Sequence, residues 1–188
     1  MKRKKLMKRL AEAVRSDTAW RCWFSDDENY WYLYFLDFSD RLLLGVEEDD
    51  FILDGFELRP ISVLQRLEHK NNMAAQIEQT LALRETIQAP KIDLTDWRSA
   101  FRDLEALGRF LIIEGKDWFE IGVIRAVRKK SILFQDFDAN GGWQETHKIP
   151  YDEITRVCFG DRYSTHWQAW FEQHPEHTLE KEKTTWLK

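Results

Sequence analysis

The residues in this chain with the means to do chemistry are five histidines, two cysteines and a dense set of carboxylates. His174-Pro175-Glu176-His177 has H-x-x-H spacing and His166 lies eight residues earlier, while His69 and His147 stand far away. Zinc takes three or four ligands at tight spacing, so this pattern predicts no metal site. Cys22 lies in Trp20-Arg21-Cys22-Trp23-Phe24 and Cys158 in Val157-Cys158-Phe159. A reactive thiol needs an electropositive, accessible setting; these apolar surroundings predict two small buried hydrophobes. No G-x-S-x-G elbow, P-loop or G-x-G-x-x-G occurs. The carboxylates fall in runs: Asp26-Asp27-Glu28, Glu47-Glu48-Asp49-Asp50 and Asp136-Phe137-Asp138. Acid–base catalysis needs environments that drive two pKa values apart, whereas runs in or beside loops ionise together and act as an electrostatic patch. The chemistry expected is recognition, with no catalytic residue, no metal and no cofactor. Asp26, Asp27, Glu28, Trp31, Glu47, Glu48, Asp49 and Asp50 are the candidate docking residues for a basic partner.

Charge is unevenly spread. The formal net charge is −5. Residues 1–15 carry seven Lys or Arg and one Glu, whereas residues 16–60 carry twelve Asp or Glu against three Arg. Overall acidity disfavours broad binding to nucleic acid, which needs clustered positive charge. Local positive charge remains at Lys2-Arg3-Lys4-Lys5 with Lys8 and Arg9, and at Arg125, Arg128, Lys129 and Lys130. Nine Trp, twelve Phe and five Tyr suit both a small core and a protein interface. Two cysteines make no disulfide framework. Lys8 and Arg9 interrupt the only apolar residues near the start, and no run of about 18 apolar residues exists. The expectation is a reduced, cytoplasmic setting without a membrane span.

The elements that must position these residues come twice. Shifted by 90 positions, Tyr32–Leu67 falls on Gly122–Val157 without a gap, so that Pro60 meets Pro150, Arg66 meets Arg156, and Leu42–Leu44 meet Ile132–Phe134. Period-2 patterning and turn residues predict strands at Trp20–Phe24, Tyr30–Asp37, Arg41–Glu47, Phe56–Arg59 and Leu64–Leu67. They recur at Arg109–Glu114, Trp118–Val127, Ser131–Phe137, Trp143–Lys148 and Ile154–Phe159. Asp26-Asp27-Glu28-Asn29, Ser39-Asp40 and Asp49-Asp50 supply breaks between the first strands, and Asp54-Gly55 is a further turn signal. Helices are predicted over 3–15, with Leu6, Leu10 and Val14 inward, and over 72–88, with Met73, Ile77 and Leu81 on one face. A third is capped by Asp93 or Thr95 and ended by Gly108. A last one is capped by Ser164 and closed by Pro175. Ala89-Pro90 marks the boundary, giving residues 1–89 and 90–175 as two helix-plus-strand units and 176–188 as a charged tail.

Asp54-Gly55-Phe56-Glu57-Leu58 followed by Ile61-Ser62-Val63-Leu64-Gln65-Arg66-Leu67, and Lys148-Ile149-Pro150-Tyr151-Asp152-Glu153-Ile154-Thr155-Arg156-Val157, resemble the last two strands of small bacterial proteins with Sm-like barrels. That resemblance implies an α+β, mainly β chain of two tandem five-stranded antiparallel barrels with flanking short helices. With the acidic runs and aromatics, the expectation is a non-catalytic protein-interaction module, in its most concrete form a bacterial immunity or antitoxin-type protein that neutralises a basic toxin domain. The alternative is an Sm-like RNA- or DNA-binding regulator.

Overall fold

The computed structural model describes residues 3–177. The expected charged tail, with Trp186 and Leu187, lies almost wholly outside them. The chain is α+β and mainly β. A first helix α1 (Arg3–Ala13) precedes five strands: β1 (Trp20–Phe24), β2 (Tyr30–Phe38), β3 (Leu42–Asp49), β4 (Ile52–Pro60) and β5 (Leu64–His69). Helices α2 (Met73–Thr80), α3 (Leu83–Thr86) and α4 (Trp97–Leu107) follow. Five more strands, β6 (Leu111–Glu114), β7 (Phe119–Val127), β8 (Ser131–Asp136), β9 (His147–Pro150) and β10 (Arg156–Phe159), lead to α5 (Arg162–Gln173).

All ten strands join one antiparallel sheet in the order β5-β1-β2-β3-β4-β10-β6-β7-β8-β9. The two sets of five strands expected from the sequence thus join in one continuous open sheet, with β5 and β9 at its ends. Its seam is the pairing of β4 with β10, where Leu58 faces Val157 and Phe56 faces Phe159; the two phenyl rings stack at 5.3 Å. Side-chain alternation along the strands sorts the apolar residues onto opposite faces. In β3, Leu43 joins a core of Leu10, Phe24, Leu33 and Leu67 under α1. Its neighbours Leu42 and Leu44 join a second core of Phe101, Leu104, Phe134 and Val157 under α4. Phe110, Ile121 and Phe137 pack against Phe171 of α5, and Tyr34 and Val46 against Leu83 and Ile87 around α3.

Ladder registers correct the simple shift of 90. The β2–β3 ladder skips Leu36 and the β7–β8 ladder skips Arg125, which stand 89 apart. The middle strands therefore match one residue out of step with Pro60 and Pro150, which stay 90 apart. Asp54-Gly55 makes no turn. It is a bulge inside β4, because the ladder passes from Leu53 to Phe56 opposite Glu48 and Val46. Gly55 is needed there for close approach, since a Cβ would lie 2.4 Å from the Asp161 nitrogen. The real β3–β4 turn is Asp50-Phe51, between paired Asp49 and Ile52.

The helix expected over 72–88 breaks at Ala82, whose φ is +50°. Asp96, not Asp93 or Thr95, caps α4 by accepting from the Ser99 amide at 2.9 Å. Asp161 rather than Ser164 caps α5, accepting from the Ser164 amide at 2.8 Å. In both helices the cap is the residue three before the bonded amide, the position from which an N-cap oxygen reaches the N3 amide.

Candidate functional site

The sequence-predicted docking residues gather at one end of β2 and β3, where they divide into two sets. Asp26, Asp27, Glu47 and Glu48 are consumed by the fold. Asp26 Oδ2 lies 3.4 Å from the Arg59 guanidinium. Asp27 accepts the Trp31 indole N–H at 2.6 Å and the Asn29 amide at 2.9 Å. Glu47 accepts from Arg156 Nη2 at 2.6 Å. Glu48 is buried, with Oε2 2.6 Å from the Lys70 ammonium and Oε1 accepting the Phe51 amide at 2.8 Å. Glu47 and Glu48 belong to β3 rather than to a solvated loop, because β3 runs on to Asp49. Glu28, Asp49 and Asp50 remain exposed, without an ion-pair partner among the described residues.

Two buried ion networks support this end of the sheet, and neither was read from the sequence. In the first, Arg156 of β10 bridges the seam. Its Nε donates to Glu57 at 2.7 Å, and its Nη1 lies 3.5 Å from Glu114. Its guanidinium sits 5.1 Å from the centre of the Trp31 ring. Arg59 donates to the other Glu57 oxygen at 3.2 Å. Burial alone would raise the Glu57 carboxyl, but Arg59 and Arg156 hold it below its ordinary range. Burial outweighs Arg156 at Glu47 and pushes that carboxyl up. The available signal was Glu57-Leu58-Arg59, because period-2 alternation puts two opposite charges on one face of a strand, here in its buried stretch.

In the second network, Lys70 bonds to both Glu48 and Glu78. Glu78 of α2 is fully buried, and it also accepts the Ala19 amide and the Tyr34 hydroxyl, each at 2.9 Å. Burial and then Glu78 raise the Tyr34 phenol well above its usual value. Burial works against the Lys70 ammonium, but the bonds to Glu48 and Glu78 overcome it and leave its pKa raised. This arrangement turns the shared face of Met73, Ile77 and Leu81 outward. The α2 glutamate points into the sheet, while Met73, Ile77 and Leu81 face solvent at 68%, 38% and 52% exposure.

Between these supports lies a cleft of about 590 Å³, lined by Tyr30, Trp31, Tyr32, Asp49, Asp50 and Phe51 and closed by Lys70, Asn72 and Ala74. Tyr30 and Tyr32 meet edge to face at 5.5 Å. Their rings already take cations, with the Arg21 guanidinium 4.7 Å from the Tyr30 centre and Lys70 Nζ 4.0 Å from Tyr32. The turn above them is strained. Asp50 and Phe51 have φ of +48° and +68°, left-handed values that a two-residue hairpin of this kind normally gives to Asn and Gly. The Glu48–Phe51 bond holds that turn in place.

A larger groove of about 990 Å³ lies elsewhere, where Arg3, Arg41, Arg98, Lys129 and Lys130 gather with Trp97, opposed by Asp40, Asp96 and Asp152. The first residue of α1 and the β7–β8 turn thus line one groove, and Arg3 donates to the Asp40 carbonyl of the β2–β3 turn at 2.9 Å. Arg125 and Arg128 do not line it. Cys22 and Cys158 are both buried, and burial pushes both thiols far up. Among the described residues no cluster of His, Cys, Asp or Glu is arranged to hold a metal, and no helix is long and apolar enough to cross a membrane. Compared with known proteins, the chain matches no family model, no curated protein and no solved structure.

Proposed function

We propose that the protein is a non-catalytic interaction module of two tandem Sm-like units, and that its cleft docks a basic partner protein. The two-unit reading rests on strand order. The last strand of each set of five lies beside the first (β5-β1-β2-β3-β4 and β10-β6-β7-β8-β9), and each set packs under a leading helix, the core under α4 also taking Leu42, Leu44 and Leu58 from the first set. The docking reading rests on one observation: two uncompensated carboxylates, Asp49 and Asp50, stand on a strained turn over an aromatic floor. Strain in a surface turn persists where the surroundings hold it and often marks a working site. Aromatic faces attract cations, and exposed carboxylates steer a basic partner inward. A basic toxin domain, captured by a bacterial immunity-type protein, is the partner form that fits this chemistry most concretely.

The test uses the full chain and its Asp49→Lys/Asp50→Lys variant as paired baits in the native host. A basic protein retained by the first and lost from the second supports the reading; equal retention refutes it. The groove favours a second reading, binding of RNA or DNA, through five basic side chains beside Trp97. Salt-sensitive RNA binding that disappears on Lys129→Glu/Lys130→Glu would establish that reading instead.

A further inference from the structure

The outer face of α2 is an apolar stripe that the fold exposes by construction. Met73, Ile77 and Leu81 recur at i, i+4 and i+8, which places them in one row along a helix. Two devices keep that row outside. Glu78 turns the opposite face inward through its bonds to Ala19, Tyr34 and Lys70. The chain then reverses at Ala82, a left-handed non-glycine residue, so that Leu83 and Ile87 enter the core while Leu81 stays out. The only charged residue from Asn71 to Leu83 is the buried Glu78. The row is therefore neutral and apolar in a chain of which 32% is charged. Contiguous exposed apolar surface of this kind marks an interaction site.

We infer that this stripe continues the cleft, and that the pair receives an amphipathic helix of the partner with apolar residues at i and i+4 and basic residues beyond one end. The inference rests on the docking role proposed for the cleft. Continuity supports it: Asn72 and Ala74, on either side of Met73, line the cleft. Charge complementarity sets the direction, since Asp49 and Asp50 lie at the Met73 end and the far end of the stripe carries no acid before Glu85. From Met73 to Leu81 the stripe runs about 12 Å along the helix axis, room for two anchoring turns of a partner helix. An amphipathic helix laid on an apolar surface is read through such spacings.

The probe is a labelled synthetic helix with leucines at i, i+4 and i+8 and two arginines after the last, compared with a peptide of the same composition broken by a central proline. Binding to the full chain is read by fluorescence anisotropy. The expected result is that Ile77→Asp and Leu81→Asp each weaken binding by about tenfold or more. Asp49→Lys/Asp50→Lys should weaken it and remove its salt dependence, and the broken peptide should bind no better than the intact one binds Ile77→Asp. Unchanged circular dichroism and urea midpoints confirm that the variants fold, with Ile77→Ser and Leu81→Ser as milder versions. Binding that is lost with the aspartates but indifferent to Ile77 and Leu81 overturns the helix inference and leaves the cleft reading standing. Binding that ignores both sets, or no binding at all, overturns the inference, and the paired-bait experiment then judges the cleft alone. Sedimentation as a dimer that Ile77→Asp dissociates would give the stripe to a second copy and also overturn it.

Discussion

Replacing Lys70 with Met removes the one cation from a buried cluster that otherwise holds two carboxylates. Its side chain, with those of Glu48 and Glu78, is 5%, 2% and 0% exposed. Taking one partner from a buried ion pair leaves a charge with neither water nor a counter-ion, at a cost of about 3–5 kcal/mol. Met preserves the volume of the stem, so the loss reports charge rather than a cavity. With a urea slope of about 2–3 kcal/mol per molar for a chain of this size, the midpoint should fall by about 1–2.5 M at pH 7. The pH dependence has a definite sign. In Lys70→Met the cost is that of buried, unpaired negative charge, so the deficit is largest at neutral pH and acid, which removes carboxylate charge, should narrow it. In the unaltered protein the Lys70 pKa is raised above its ordinary 10.5. Its contribution is complete below that value and is lost as the pH climbs through the higher folded one. Amide exchange should localise the damage to Phe51 and Ala19, whose N–H groups end on Glu48 and Glu78. A midpoint shift below about 0.3 M, or a deficit that widens in acid, would refute the reasoning.

Arg156→Ala should cost about 3 kcal/mol, because Glu57 stays buried with only Arg59 beside it. The Glu57 pKa is lowered from its ordinary 4.5, so its contribution is present above that value and lost as the pH falls through the folded one. The variant's acid-unfolding curve should lose that part of its slope. Phe51→Gly relieves a left-handed residue and should leave stability unchanged or higher by up to about 1 kcal/mol in urea melts, while weakening partner binding because the cleft loses a wall. Cys22 and Cys158 should resist a thiol reagent at pH 8 in the folded protein and react only on unfolding, since burial disfavours both thiolates.

Much of the strand pattern was legible, because β1 and its successors alternate or run apolar between Asp, Asn and Gly breaks. The break at Asp49-Asp50 was legible to within a residue of the turn at Asp50-Phe51, but the nature of Asp54-Gly55 was not, because only the approach of Asp161 shows why that glycine is a bulge. The helix around Ile77 was legible as a helix, but which of its faces is buried was not. Periodicity rewards burying Met73, Ile77 and Leu81, and nothing local announces that Glu78 finds an ammonium, a phenol and an amide across the chain. The candidate site was half legible for the same reason. Glu47 to Asp50 reads as one acidic run, yet Arg156 and Lys70, 109 and 22 residues away from their partners, neutralise its first two members.

That division decides how the central claim is tested. Asp49 and Asp50 can be reversed without touching the buried networks, whereas Glu47 and Glu48 cannot. The most direct measurement is the association rate of the recovered basic partner with the unaltered chain and with Asp49→Lys/Asp50→Lys, at low and high salt. Rim charges act chiefly on the approach of the partner. The account predicts association slowed by about tenfold at low salt, with the gap closing as salt screens the charges. Equal rates at both salt concentrations would contradict it.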